Sequence, residues 1–346
     1  MRQTDDLSKS ITPFVQGNTL VAIIELSLSS WLVAGVVPGI ARQPLKKLEP
    51  DEAELLRLLH RWRDEAVKSG CAIERVVVAY EAGRDGFWLA RWLRGERGHC
   101  GMVAVPTIEE EDAKRPHRER ENLVGEKTRI VNRMKAALIR LGIRGFKPEL
   151  RRAPLKLDGL RTPEGLPIPP NTLDEIRRDL ARLAMVREQI DLIEQARLER
   201  ITQGPKTGPN AMVRLVASIV GVGVETADML VREVLSRDLR DRRAVARYAG
   251  LTGSPDESGS KRREKGLARA GNARVRRGLI QLAWRFLGFQ KDSALTQWYR
   301  ARTDGVKGAS KTKMIVALAR KLLIALWRMV TTGEVPEGVR LRPVEA

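Results

Sequence analysis

The chain has 346 residues, 42% of them hydrophobic, enough to build cores in about two domains and to exclude global disorder. Lys and Arg number 63 against 43 Asp and Glu, and the resulting +20 favours a polyanionic partner, most simply nucleic acid. Cys71 and Cys100 are the only cysteines, and His60, His99 and His117 the only histidines. A disulfide framework, a thiolate zinc site and a histidine-based metal centre are therefore not expected.

The opening MRQTDDLSKS is polar and mixed in charge, which does not read as a secretory signal. The apolar stretch VAIIELSLSSWLVAGVVPGI at 21–40 carries Glu25, serines and Pro38, so two adjacent strands explain it better than a membrane span. A cytoplasmic protein without a membrane partner is expected. Strands are predicted over 20–27, 30–37 and 41–47. A helix follows over 51–69, its acidic start suited to the helix dipole. A strand over 74–80 then delivers Glu81, and a short helix spans 86–93. This order begins an α/β domain in the ribonuclease H style. Such a sheet would next need another strand and helix. Instead, RGERGHCGMVAVPTIEEEDAKRP reads as a loop, a brief apolar run and a charged segment.

A long polar helix is predicted over 109–141, and the Pro- and Gly-rich residues 142–170 read as a linker. Leu173, Ile176, Leu180, Leu183, Val186, Ile190 and Ile193 then recur in steps of three and four. That stripe predicts an amphipathic helix in an antiparallel or intermolecular coiled coil, and a homo-oligomer is expected. AMVRLVASIVGVGVETADMLVREVL at 211–235 reads as helix, Gly221-Val222-Gly223 turn and helix. It suits either a simple αα-turn or a helix-hairpin-helix gripping phosphates through free amides. Lys261, Arg262, Arg263, Lys265, Arg269, Arg274, Arg276 and Arg277 follow, broken by glycines, and form a cationic segment fit for a phosphate backbone. The expected domains are 18–107 (α/β, incomplete), 108–205 (helical linker and coiled coil) and 206–335 (mainly α with a helix-hairpin-helix).

The stretch RYAGLTGSPDESGSKRREKGLARAGNARVRRGLIQLAW resembles the signature of the "one-ten" family of insertion-sequence transposases. The Gly-x-Gly turn, Ala249-Gly250-Leu251, Ser258-Gly259, and Gly271-Asn272 before Arg276-Arg277 carry the likeness. The N-terminal half, including YEAGRDGFWLARWL, is similar to the same family's RuvC-like domain. The resemblance implies a recombinase that cuts and rejoins double-stranded DNA, guided by a structured RNA. It implies Mg²⁺ held by four carboxylates, because Mg²⁺ takes hard oxygen ligands and two ions clamp a transferring phosphate. Glu25 and Glu81 match the first two acids. The last two, an Asp-x-x-Asp, have no match between Glu81 and the linker. A strand–loop–helix unit of on the order of 30–40 residues is missing near Arg91–Arg94. Glu109, Glu110, Glu111 and Asp112 cluster nearby but suit a helix start better. The resemblance makes Ser258 the nucleophile, with Ser254 and Ser260 as close competitors. It also places Gly221, Gly223, Asn272 and the basic residues above at the nucleic acid. Two other readings stay open: a DNA- and RNA-binding remnant that assembles without cutting, and a RuvC-like junction nuclease without serine chemistry.

Overall fold

A computed structural model of the chain describes residues 17–80, 87–95, 106–258, 261–267, 270–305 and 309–343. Of these, 94–95, 254–258, 261–266 and 309–310 are described by their backbone alone. Two compact units are present: residues up to Thr107 with 238–240, and the remainder from Ile108 onward.

In the first unit, β1 (Thr19–Leu26), β2 (Trp31–Val36), β3 (Leu45–Leu48) and β4 (Arg75–Tyr80) form one sheet in the order β3-β2-β1-β4. β1 runs antiparallel to β2 and parallel to β4, and Ile24 pairs with Tyr80. The third strand starts later than expected because Pro44 lacks an amide for the ladder. Its carbonyl instead accepts from Gly35 at 2.8 Å. Alternation along β1 buries Leu20, Ala22 and Ile24 on one face. Helix α1 (Glu52–Lys68) covers that face with Leu55, Leu58, Leu59, Trp62 and Ala66. Asp51 caps it by accepting from the amides of Ala53 and Glu54 at 2.7 and 3.0 Å. Helix α2 (Trp88–Gly95) adds Leu89 and Leu93 to the same core.

The opposite face of the sheet carries Ile23, Leu32, Val36 and Leu45, exposed by 37–60%. The ladder places Glu25 on it as well, opposite Leu32. Lys47, paired with Leu32, shares this face, which thus mixes exposed apolar and charged side chains.

The second unit starts with α3 (Ile108–Asp112) and α4 (Arg115–Arg140). The single helix expected over 109–141 breaks between them, with Pro116 in the first turn of α4, the one helical position where a missing amide costs little. The expected linker 142–170 is also corrected. Ile143, Ile168, and Ala153 and Leu157 of α5 (Ala153–Leu157) are buried in the core of α4 and α6 (Pro170–Gln203). Pro and Gly shape a strap there, and burial of its apolar residues offsets the entropy of ordering it. Helices α4 and α6 are antiparallel, because Arg120 pairs with Glu194 and Arg133 with Asp179. The stripe Ile176, Leu180, Leu183, Val186 and Ile190 is buried with Ile130, Val131, Met134 and Leu138 of the same chain. It is therefore covered by α4 within the chain.

Helices α7 (Gly208–Ala217) and α8 (Val224–Leu230) come next, and α8 runs into a π-helical turn at Val231–Leu235. Then follow α9 (Arg242–Tyr248), α10 (Ala273–Phe289), α11 (Ala294–Thr303) and α12 (Ala309–Thr332), whose Leu318, Leu322, Leu323 and Leu326 are fully buried. Where a loop-broken basic run was expected, the chain forms a hairpin of β5 (Gly253–Ser258) and β6 (Lys261–Leu267). In its backbone register Asp256 stands opposite Arg263 and Glu257 opposite Arg262. Among the described residues, no helix is long and apolar enough to cross a membrane.

Leu183 is 1% exposed at the centre of the α4–α6 pair. Leu183→Ala should destabilise this unit by about 2–5 kcal/mol, measured by urea unfolding of the full chain. The oligomeric state seen by light scattering should not change, since the residue faces its own chain.

Candidate functional site

The hairpin projects from a base that two glycines make possible. Gly250 and Gly271 both have positive φ, 63° and 85°. A Cβ on Gly250 would lie 2.1 Å from the carbonyl oxygen of Ala270, and one on Gly271 2.6 Å from that of Tyr248. The two chain segments therefore cross backbone to backbone where no side chain fits. The Asn272 amide donates to the Tyr248 carbonyl at 2.7 Å and closes the crossing. Residues 251–270 leave and return through this one point. Ser258 stands in the last rung of the ladder, opposite Lys261, at the far end of the excursion. Ser254 falls at a register irregularity between Gly253 and Pro255. Lys261, Arg262, Arg263 and Lys265 follow one another along β6. Ser260 and Arg269 lie outside the described residues.

The base is held to the helical core by a buried carboxylate. Glu233, in the π turn, is 1% exposed. Arg118 of α4 donates to it twice, at 3.0 and 3.2 Å. The Asn272 side-chain amide donates to it at 2.9 Å. The Asn272 carbonyl oxygen meanwhile caps α10 by accepting from the amides of Arg274 and Val275 at 3.1 and 3.2 Å. Burial pushes the Glu233 carboxyl up, but the hydrogen bonds from Arg118 and Asn272 and the charges of Arg118 and Lys114 outweigh it. The group ends below its ordinary range. His117 is buried beside it, with Nε2 3.7 Å from Glu233 and Nδ1 3.8 Å from Glu225, and neither nitrogen is hydrogen-bonded. Burial lowers its pKa despite the Glu233 charge, so it is neutral near pH 7.

Several residues expected at the nucleic acid are engaged within the chain. Arg274 and Arg277 both pair with Glu121 of α4, the latter at 2.9 Å while two-thirds exposed. Arg276 donates to the Ala270 carbonyl at 3.3 Å. Asn272 has both ends of its amide in use, as cap and as partner of Glu233. Gly221 has a φ of 90° and lies against Phe289, where a Cβ would come within 2.7 Å. The turn it forms is tied to the C-terminal tail: the Val220 amide donates to the Arg340 carbonyl at 3.0 Å, and buried Gln290 donates to the Val220 carbonyl at 2.7 Å. Gly223 precedes α8 with open space where a Cβ would be. Just behind this turn, Arg197 contacts Glu225 and lies 3.1 Å from buried Asp228.

In the first unit, the register sets the C-terminal ends of β1 and β4 side by side. Glu25 follows Ile24 there, and Glu81 follows Tyr80 but lies outside the described residues. Among the described residues, no group of three or more His, Cys, Asp or Glu could hold a metal ion. Glu109, Glu110 and Glu111 form the first turn of α3, as expected of acids at a helix start.

The residues that sequence reasoning missed are Arg118, Glu121 and Glu233. Their one signal was Asp228 and Glu233 inside the apolar run DMLVREVL, where charge is unusual unless paired.

A family model described as the IS116/IS110/IS902 transposase family matches residues 213–299, from α7 through the hairpin into α11. The protein named "Putative transposase y4rJ" of Sinorhizobium fredii (strain NBRC 101917 / NGR234) is 34% identical over 371 residues, covering 92% of this chain and 93% of that protein. The alignment is longer than the 346-residue chain, so the relative carries positions that this chain lacks.

Because its folded pKa is depressed, Glu233 contributes stability that is present above the ordinary glutamate value of 4.5 and is lost as pH falls through the folded value. Glu233→Gln should lower stability at pH 7, since Arg118 loses its charge partner. It should also flatten the decline below pH ~4.5 in urea unfolding followed from neutral to acid.

Proposed function

Because the chain belongs to the IS116/IS110/IS902 family of transposases, we propose that it acts on insertion-sequence ends and target DNA through Ser258. The observation that carries this reading is the placement of Ser258 in the terminal rung of a basic hairpin whose base is locked to the helical core. A nucleophile needs such a setting: projecting far enough to meet a duplex, yet held by rigid elements. In the proposed step, Ser258 Oγ bonds to a backbone phosphorus and the bond from phosphorus to the departing deoxyribose oxygen breaks. The serine proton passes to a base, and the departing oxygen takes a proton from water. Attack by the hydroxyl of a new strand reverses the step and frees the serine. Lys261, Arg262 and Arg263 would neutralise charge as the phosphorane forms. Arg276, Arg277 and Lys265 would contact the flanking phosphates, and a structured RNA would select the sites. Gly221 and Gly223 would belong to a helix-hairpin-helix against the DNA backbone.

The four-stranded sheet with β4 parallel to β1 supports a RuvC-like reading of the first unit. Glu25 and Glu81 would hold Mg²⁺, which supplies Lewis-acid charge when bound. They offer two carboxylates where two ions need about four. Of the two, only Glu25 lies among the described residues.

That shortfall favours a second reading, a nucleic-acid-binding remnant that assembles as a homo-oligomer but cuts little. The uncovered apolar face of the sheet, which holds Glu25, is what loss of a strand–helix unit would leave. The longer aligned length of the relative agrees with such a loss.

Incubating the protein with matching element ends, RNA and Mg²⁺ tests both readings. Under the first, a covalent protein–DNA adduct forms and Ser258→Ala abolishes it while DNA binding stays within about twofold. An adduct that survives Ser258→Ala and is lost with Ser254→Ala moves the role to Ser254. Under the second reading no adduct forms, yet DNA is still retained. In that case Arg262→Gln with Arg263→Gln should reduce the log–log salt slope by about 0.9 for every phosphate no longer neutralised.

A further inference from the structure

A cleft of about 700 Å³ opens among α9, α11, α12 and the segment that follows α12, apart from the hairpin and its base. Arg242, Arg243, Arg320, Lys321 and Arg328 line it. Elsewhere in this unit, arginines near the core have partners: Arg118 has Glu233, Arg197 has Asp228 and Arg274 has Glu121. The cleft differs. Among the described residues, Arg242, Arg243, Arg320 and Arg328 find no ion pair or side-chain hydrogen bond, and Lys321 rests 4.8 Å above the ring of Trp298. Two carboxylates, Glu334 and Glu337, also line it, leaving cations in excess. The same lining includes apolar Leu295, Ile324, Ala325 and Pro336, and Trp298, whose ring carries Lys321 and Arg302. Like charges gathered in excess of their counter-charges repel one another and cost stability, so an anion that spans them would bind favourably.

Extending the reading that the chain handles nucleic acid, on which this inference rests, we infer that the cleft binds an unpaired segment of a nucleic-acid strand. Its phosphates meet Arg242, Arg243, Arg320 and Arg328, and its bases meet the apolar residues of the lining. A duplex presents phosphates but keeps its base faces stacked inside, so it has no use for those apolar residues. An unpaired strand exposes both, and sites for single strands combine a cationic track with apolar or aromatic platforms. The volume also suits a compact group, since ligand pockets run about 300–1,000 Å³. Strand exchange makes unpaired DNA, and a folded RNA has unpaired loops. The two offer the same chemistry here.

The test uses the full chain with three fluorescent probes of one sequence: single-stranded DNA, single-stranded RNA and duplex DNA. The variant R242Q/R243Q/R320Q/R328Q should bind one or both single strands at least about tenfold more weakly. Its log–log salt slope should fall by about 0.7 for each phosphate left without a cation. Duplex binding should stay within about twofold. The single strand that is weakened more identifies the natural source. A photo-crosslink from a thio-substituted base should map to α11 or α12 in the unaltered protein, which keeps the inference testable if the variant fails to fold. Unchanged single-strand affinity, a crosslink confined to other elements, or an equal loss for duplex would overturn it. Displacement of the probes by polyglutamate with equal effect in the unaltered and variant proteins would also overturn it. Arg262→Gln with Arg263→Gln separates this inference from the reading beneath it. If that pair weakens binding and the cleft variant does not, only the cleft assignment fails. If the unaltered protein binds none of the probes, both fail.

Discussion

Glu233 is a carboxylate with 1% of its surface exposed, and such a charge survives burial only with partners fixed around it. Arg118 comes from α4 and Asn272 from the cap of α10, so neutralising this one group ties three distant segments together. The π turn belongs to the same constraint. Asp228 and Glu233 are five residues apart, out of phase for an α-helix, yet both are buried. A widened turn, marked by the Ser236 amide donating to the Val231 carbonyl at 3.1 Å, brings such a spacing toward one side. Removing either partner of this group would leave an uncompensated charge inside, which is costlier than losing an exposed ion pair.

The base of the hairpin inherits its position from that interaction. Asn272 serves Glu233 with one end of its amide and the first turn of α10 with the other. The next residue back is Gly271, whose missing side chain lets the chain cross against Gly250. A rigid crossing at the root and two strands beyond it put Ser258 at a defined distance from the helices. Much of the expected DNA-contact set turns out to build this root. Arg274 and Asn272 are engaged at the root, with Glu121 and Glu233 respectively.

The first unit shows a different balance. One face of its sheet is packed by α1 in the ordinary way, with Trp62 and Leu55 at its centre. The other leaves Ile23, Leu32, Val36 and Leu45 in the open, around Glu25. Apolar side chains on a solvent face give no stability and invite association.

Strands β1, β2 and β4 and helix α1 were legible from local pattern: apolar runs in the strands and an acidic start to the helix. The family was legible too, because Gly250, Gly271 and Asn272 are spaced by the backbone crossing they make, and that spacing is written in the chain. What the sequence could not show is which charges meet. Arg118 and Arg129 look alike in a polar helix, yet only the former reaches Glu233, 115 residues away. The same holds for the stripe of α6: periodicity announces an apolar face, but whether α4 or a second chain covers it depends on how the strap 142–170 returns. The hairpin escaped because its residues are polar on both faces, so no alternation marks them as strands. Local periodicity and turn chemistry are properties of neighbouring residues and can be read in order. Ion pairing, burial of charge and the choice of partner for an apolar face are set by distances through space, and those exist only once the chain has folded.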